Sequence, residues 1–366
     1  MSLRVGRIER YVLAHTLTGV AATAAVLGGV VLLIDFVDLS RTLGGRTEVS
    51  FLTELALALL KTPSVLLQLL PFVFLFGVLS AFVTLNRRSE LVAIRAVGVS
   101  AWRFILPAAA AAFVLGVGAL IIANPLAASM NSAFEHWRDQ LNPDDASQSR
   151  RIWLRQGDGR SQVIIGAASR TGVGGVLLKD ASLFVYTLDE EGSPEFSRRI
   201  EAGQARLMKG SWRLSNVYEA TPGGQAQHYD TLSIPSNMDD RTALERYASP
   251  QSMSVWTLPA AIARIEEAGF SALNYRLRLQ ELLAGPVLYA AMAILAAAFS
   301  LRLSRLGGLS TLAALGVGAG FAVFFFNQFC ASLAKGGVLA PFAAAWLPPI
   351  LALLSAFALL FHTEDG

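Results

Sequence analysis

Val12–Val37 reads VLAHTLTGVAATAAVLGGVVLLIDFV, an apolar run that meets its first charge at Asp35. An α-helix rises 1.5 Å per residue, so this run is long enough to cross a hydrocarbon core about 30 Å thick. It is also too long for the apolar core of a secretory leader. With the basic Met1–Arg10 in front of it, it reads as a retained first span. Working outward, five more such runs follow. The second is Leu55–Leu85, long enough to tilt or project past the membrane, with Pro63 and Pro71 as expected bends. The third is Phe104–Ala123, which should stop at Asn124-Pro125. After a long polar region come Leu279–Leu301, Leu309–Leu333 and Phe342–Phe361. The pattern is three spans, one large domain, three spans.

Composition agrees. The chain has 366 residues, of which 54% are hydrophobic and 16% charged, with mean hydropathy +0.49. Ordinary soluble domains carry about 25% charged residues, which argues against a cytosolic enzyme of this length. A net charge of +3 marks no nucleic-acid binder. The single cysteine, Cys330, rules out an intramolecular disulfide and a cysteine-built metal site.

Arg and Lys in short loops set orientation. With the N-terminus inside, the inner side holds Arg4, Arg7, Arg10, Arg87, Arg88, Arg95, Arg103, Arg302 and Arg305. The outer short loops hold only Arg41, Arg46 and Lys335. The large domain then lies outside the cytoplasm and His362–Gly366 inside.

That domain is expected to be β-rich. Ile152–Leu154, Gln162–Ile165, Gly175–Leu178, Leu183–Thr187, Ala205–Met208, Trp212–Val217 and Tyr229–Ile234 carry strand composition. Turn material separates them at Gln156–Gly159, Thr171-Gly172, Glu191–Pro194 and Thr221–Gly224. This spacing predicts a sandwich or jelly roll. Leu126–Leu141 is expected to continue the third span outward as a helix. A second helix should open at Thr257 as cap, with Pro259 in its first turn and Gly269 at its exit. The fold class is therefore α+β and polytopic. Residues 1–124 hold three spans, 125–273 the β domain with flanking helices, and 274–366 three more spans.

No P-loop, H-E-x-x-H or G-x-S-x-G motif occurs, and the histidines at 15, 136, 228 and 362 lie far apart. Gly172–Gly175 reads as a turn between strands. No cofactor or metal is expected, and nothing nominates an enzyme. The most informative loop is Asn86–Ser100, NRRSELVAIRAVGVS. Ser89 should cap a short helix carrying Leu91, Val92, Ile94 and Val97 and ended by Gly98. Two readings stay open: a helix that docks into a groove on a soluble partner, or an interfacial helix held to anionic lipid by arginines.

Asp38 and Arg41 stand one turn apart at the outer end of the first span, able to pair or to face a common cavity. Asp35, a turn below, is costly inside the membrane boundary unless it faces protein or water. Arg41 suits a lipid phosphate; Lys61 either does likewise or snorkels; Arg138 either contacts an anion or is solvated. Arg276 and Arg278 flank the start of the fourth span near Glu281. The fifth span carries Gly316, Gly318 and Gly320, which allow close helix approach, then Phe321, Phe324, Phe325, Phe326 and Phe329. Those rings either pack between spans or face a partner or an acyl chain, and Asn327 and Gln328 should bond a neighbouring helix.

The order of spans around a β domain, with Glu9-Arg10-Tyr11, Phe36-Val37-Asp38, Arg88-Ser89-Glu90-Leu91-Val92, Gly98, Trp212-Arg213-Leu214 and Pro286, resembles the LptF and LptG permeases of lipopolysaccharide-export ABC transporters. Phe36-Val37-Asp38 and the RSELV string look more like the LptG branch. The resemblance covers nearly the whole chain. It implies a bacterial inner-membrane subunit with a periplasmic jelly roll that extracts lipopolysaccharide. It also implies an LptF-like partner permease, an LptB-like cytoplasmic ATPase dimer, a bitopic LptC-like jelly-roll protein and an LptA-like periplasmic bridge. Arg88, Ser89, Glu90, Leu91, Val92 and Gly98 would couple to the ATPase. By the resemblance Arg41 would meet the lipid's phosphates; the chemistry of the residues themselves adds Asp38, Lys61, Arg138, Phe321, Phe324 and Phe325 as candidate lipid contacts. The competing class is a membrane-anchored assembly or sensor protein, or, further off, a lipid-modifying membrane enzyme.

Overall fold

The computed structural model describes residues 6–43, 50–141, 152–157, 161–167, 169–171, 176–188, 194–236, 249–267, 271–303 and 309–364. Contacts divide the chain into two compact units. One comprises Met1–Glu135, Ser249–Ile262 and Ala272–Gly366; the other comprises His136–Ala248 and Ala263–Ser271.

The first unit is a helical bundle. Helix α1 runs unbroken over Arg7–Leu43, roughly 55 Å at 1.5 Å per residue. The expected second span is two helices, α2 (Phe51–Gln68) and α3 (Leu70–Arg87), separated at Leu69. Pro71 explains the break, since it has no N–H to continue the α2 ladder. Pro63, also an expected bend, sits inside α2 without ending it. The two helices lie end to end along α1: Phe36 touches Phe51, Asp35 meets Lys61, and Gly19 meets Gly77.

The short α4 covers Glu90–Ala96, and α5 covers Trp102–Gly118. The chain does not stop at Asn124-Pro125. A π-helical turn over Ala119–Ala123 leads directly into α6, Asn124–Leu141. The wider turn accommodates the ring of Pro125, which would otherwise strike the preceding turn. The indole of Trp256 donates to the Ile121 carbonyl, the acceptor that the proline leaves without its usual donor, at 3.4 Å.

The remaining helices are α7 (Leu258–Glu267), α8 (Leu273–Leu303), α9 (Leu309–Lys335) and α10 (Pro341–Glu364). Thr257 precedes α7 as expected and its carbonyl accepts from Ala261, but its hydroxyl turns back to the Ser254 carbonyl instead of capping. Gly269 lies outside the described residues. Seven described helical segments are long and apolar enough to cross a membrane. In the bundle core α8 is the most enclosed: Ala291–Ala298 is buried throughout, packed with Val78, Phe82, Phe104 and Ala356. The rest of the bundle leaves much apolar surface outward, the reverse of a soluble protein.

The second unit is one antiparallel sheet of seven strands: β1 (Ile152–Gly157), β2 (Ser161–Ala167), β3 (Ser169–Thr171), β4 (Leu177–Leu188), β5 (Pro194–Met208), β6 (Ser211–Ala220) and β7 (Gln227–Pro235). The order is β1-β2-β4-β5-β6-β7, with β3 paired to β4. The segments expected at Gly175–Leu178 and Leu183–Thr187 are one strand. It stays continuous because Asp180, at φ 49°, takes a left-handed turn between them. Asn216 does the same in β6 at φ 53°, and Gly203 lies between the two on β5. Together they crease the sheet. β5 is far longer than expected and absorbs Pro194, which sits at its first residue, where no donor is needed. β1 and β7 are opposite ends of the order, yet they meet. Gln156 donates to the Pro235 carbonyl at 2.9 Å and accepts from the buried Trp212 indole at 3.2 Å and from Ser236 at 2.6 Å. The sheet therefore curls around a core of Ile165, Leu178, Leu183, Ile200, Trp212, Leu214 and Val217. The Gly172–Gly175 turn lies outside the described residues.

Candidate lipid-handling and coupling sites

Three places in the bundle gather polar side chains. The first is where α1, α2 and α6 meet. Lys61 Nζ lies 2.6 Å from Asp35 Oδ1 and 5.9 Å from the centre of the Phe134 ring, a cation–π distance. Asp35 is only 6% exposed, and its Oδ2 has no hydrogen-bond partner among the described residues. An orphan carboxylate oxygen costs about 1–3 kcal/mol, so the pair is held incompletely satisfied. Lys61 therefore neither snorkels alone nor stands open; it answers Asp35. Asp38 and Arg41, one to two turns further along α1, are both exposed and form no ion pair with each other among the described residues. Thr42 closes that end by donating to the Asp38 carbonyl at 2.7 Å. Arg138 is half-buried on α6 and already engaged rather than freely solvated.

Beside this site a polar clamp binds the returning chain. Glu135 accepts from Ser252 at 2.8 Å and Ser249 at 3.2 Å, Asn131 donates to Ser252 at 2.8 Å, and Ser64 donates to Asn131 at 3.3 Å. Nothing in the sequence pointed to this serine cluster, because Ser249 and Ser252 lie 114 to 121 residues from Glu135 and Asn131, and Ser64 lies 67 residues from Asn131.

The second place is a cavity of about 260 Å³ within the bundle. Four helix irregularities border it: the α2–α3 break at Leu69 and Pro71, the π turn at Ala119-Leu120, Pro286 in α8 and Pro349 in α10. Each interrupts a backbone ladder, so the helices bow apart there. Arg278 and Glu281 line it 3.7 Å apart, and the Nε of Arg278 is buried without a hydrogen-bond partner among the described residues. Asn327 and Gln328 face the cavity and form no described bond to a neighbouring helix, contrary to expectation.

Of the fifth-span residues, Gly316 and Gly320 fit against Leu79 and Leu75 of α3, while Gly318 faces open space. Phe324 packs on Phe72 at 5.3 Å and lines the cavity. Phe321 also touches Phe72, at 5.6 Å, but is exposed like Phe325. The rings thus divide between the two readings: inward packing and an outward apolar face. A matching face on α1 exposes Val26, Val30, Leu33, Ile34 and Val37.

The third place is α4. It forms where expected, with Gly98 past its end at φ 78°. Ser89 does not cap it: the residue is left-handed at φ 60°, and its hydroxyl bonds no helix N–H. Leu91 is buried in the bundle core, whereas Val92 and Val97 are 59% and 79% exposed. Arg88 is exposed as well. Glu90 is tied within the chain, accepting from the Tyr11 hydroxyl at 2.8 Å. Beside it, Arg103 donates to Glu9 through Nε at 3.2 Å and Nη2 at 2.9 Å. Glu9 and Tyr11 were visible as part of a motif, but their partners are 94 and 79 residues away.

Among the described residues, no group of three or more His, Cys, Asp or Glu could hold a metal. No curated protein matches the chain. Residues 10–362 match the family model described as lipopolysaccharide export system permease LptF/LptG, and with nearly the whole length covered the chain belongs to that family.

Proposed function

We propose that this transport subunit is the LptG-type permease of an ATP-driven machine that lifts lipopolysaccharide out of the bacterial inner membrane. In this reading α2 and α3 form one bent crossing, so the bundle crosses six times. The α4 end faces the cytoplasm, and the curled sheet lies in the periplasm as a jelly roll whose apolar interior takes acyl chains. A homologous LptF-like permease pairs with it along the outward apolar faces of α1 and α9. The lipid enters between them with its phosphates at Arg41, Lys61 and Arg138 and its chains against Phe321, Phe324 and Phe325. An LptC-like protein and an LptA-like bridge would receive it.

The chain carries no nucleotide motif, so force comes from a partner, and α4 is where that partner docks. The observation that carries this is the split of α4 into a buried anchor, Leu91, and exposed apolar residues, Val92 and Val97, beside Glu90 and Arg88. A solvated loop would not present valines in this way; a helix that completes a partner's groove would. Glu90→Ala is expected to reduce co-purification of the ATPase subunit at least several-fold while the permease still accumulates in the membrane. Equal recovery from both forms would refute motor docking. Depletion of the protein should strand lipopolysaccharide in the inner membrane; normal surface delivery would refute the transport assignment.

A further inference from the structure

The Asp35–Lys61 pair lies inside the helix ends. Asp35 is eight residues before the end of α1 at Leu43, roughly 12 Å along the axis. Its carboxylate is almost fully enclosed, one oxygen on the ammonium and the other without a donor. The Lys61 side chain is more open, 29% exposed, and has two further N–H donors. The exposed side of this site is therefore a cation whose charge is already matched from behind.

Resting on the permease reading above, we infer that Asp35 is an internal competitor for Lys61 that sets how much negative charge a lipid headgroup must bring to bind there. A singly charged phosphodiester arriving at Lys61 meets a neutral pair and gains little. A headgroup with two phosphates brings enough charge to draw the ammonium away from the carboxylate, with Arg41 exposed two turns beyond to take the second anion. Asp35 thus acts as a specificity residue that rejects ordinary anionic phospholipid and admits a multiply phosphorylated glycolipid. The asymmetry of burial makes the test feasible. Removing the charge of Asp35 leaves a lysine that reaches the boundary, whereas removing Lys61 would strand an enclosed carboxylate.

The experiment places the full-length chain, with the subunits that co-purify with it, in nanodiscs containing equal amounts of phosphatidylglycerol and bis-phosphorylated lipid A. Bound lipid is counted by native mass spectrometry. Wild type is expected to prefer lipid A. Asp35→Asn should lower that preference by about tenfold, chiefly through more bound phosphatidylglycerol, while Asp35→Glu keeps it. An Asp35→Asn protein with the wild-type preference, or one that simply loses both lipids, overturns the inference. So does an Asp35→Glu protein that behaves like Asp35→Asn, since charge would then not be the determinant. A wild type with no preference for lipid A overturns the underlying permease reading as well, which separates the two failures.

Discussion

Gly19 and Gly77 mark where α1 and α3 touch backbone to backbone. A Cβ added to Gly77 would lie 2.5 Å from the Val20 Cα, and one on Gly19 would lie 2.4 Å from the Gly77 carbonyl oxygen. Backbone cannot swing aside as a side-chain tip can. Gly77→Ala is therefore expected to destabilise the bundle by about 1–3 kcal/mol, read as a lowered melting temperature in detergent. Gly318 has no atom within 4 Å of its notional Cβ, so Gly318→Ala should leave the melting temperature unchanged or slightly raised. The sequence displays both as small residues in apolar runs. Which one is a contact depends on the rotation of each helix about its axis, and an even spread of alanine and glycine does not specify that rotation. Asp35 and Lys61 show the same limit: each was legible as a costly charge, but their pairing required knowing how α2 lies along α1.

Among the elements, α4 and the residue that follows it set a buried side chain, Leu91, beside exposed apolar ones, Val92 and Val97. Leu91→Ala removes a side chain that is 1% exposed in the main core and should cost about 2–5 kcal/mol in thermal unfolding. Val97→Ser, on the exposed side, should alter stability by no more than about 0.5 kcal/mol and yet, under the proposed docking, weaken recovery of an ATPase partner. Elements with strong periodic or compositional signals were legible close to their observed ends. The fifth and sixth apolar runs coincide with α9 and α10 to within three residues, and the fourth with α8 except that the helix begins six residues earlier, at Leu273. Two of the misreadings share one cause. Pro125 and Asp180 carry local breaking signals, which the chain resolves without breaking, one by a π turn and the other by a left-handed residue inside a strand. Leu69 shows the opposite case, in which a proline two residues later does divide the helix.

On the scale of the whole molecule, two units with separate cores should melt separately. Gln156 is the side chain that joins the two edges of the sheet and also satisfies the Trp212 indole. Gln156→Ala is expected to lower the melting transition of the sheet unit by an amount equivalent to about 1–3 kcal/mol and to leave the bundle transition in place. Scanning calorimetry on the intact protein checks this, and a single transition shifting as one would refute it. The two-part organisation was plain from the sequence, since an apolar and a polar material alternate along it. The curling of the sheet was not, because Gln156 sits 79 residues from the carbonyl it holds.

The unbroken course of α1 has a mechanical consequence. Near one tip it is pinned to α4 through Tyr11, and near the other it is pinned to α2 through Asp35. With no kink to absorb a displacement, such a rod behaves as a lever. A tilt of roughly 5° over its length of roughly 55 Å would sweep a tip by roughly 5 Å, about one helical turn. A nudge of that size on the Glu90 side would be felt at the Arg41 tip in the same instant, without any relay of side chains between them.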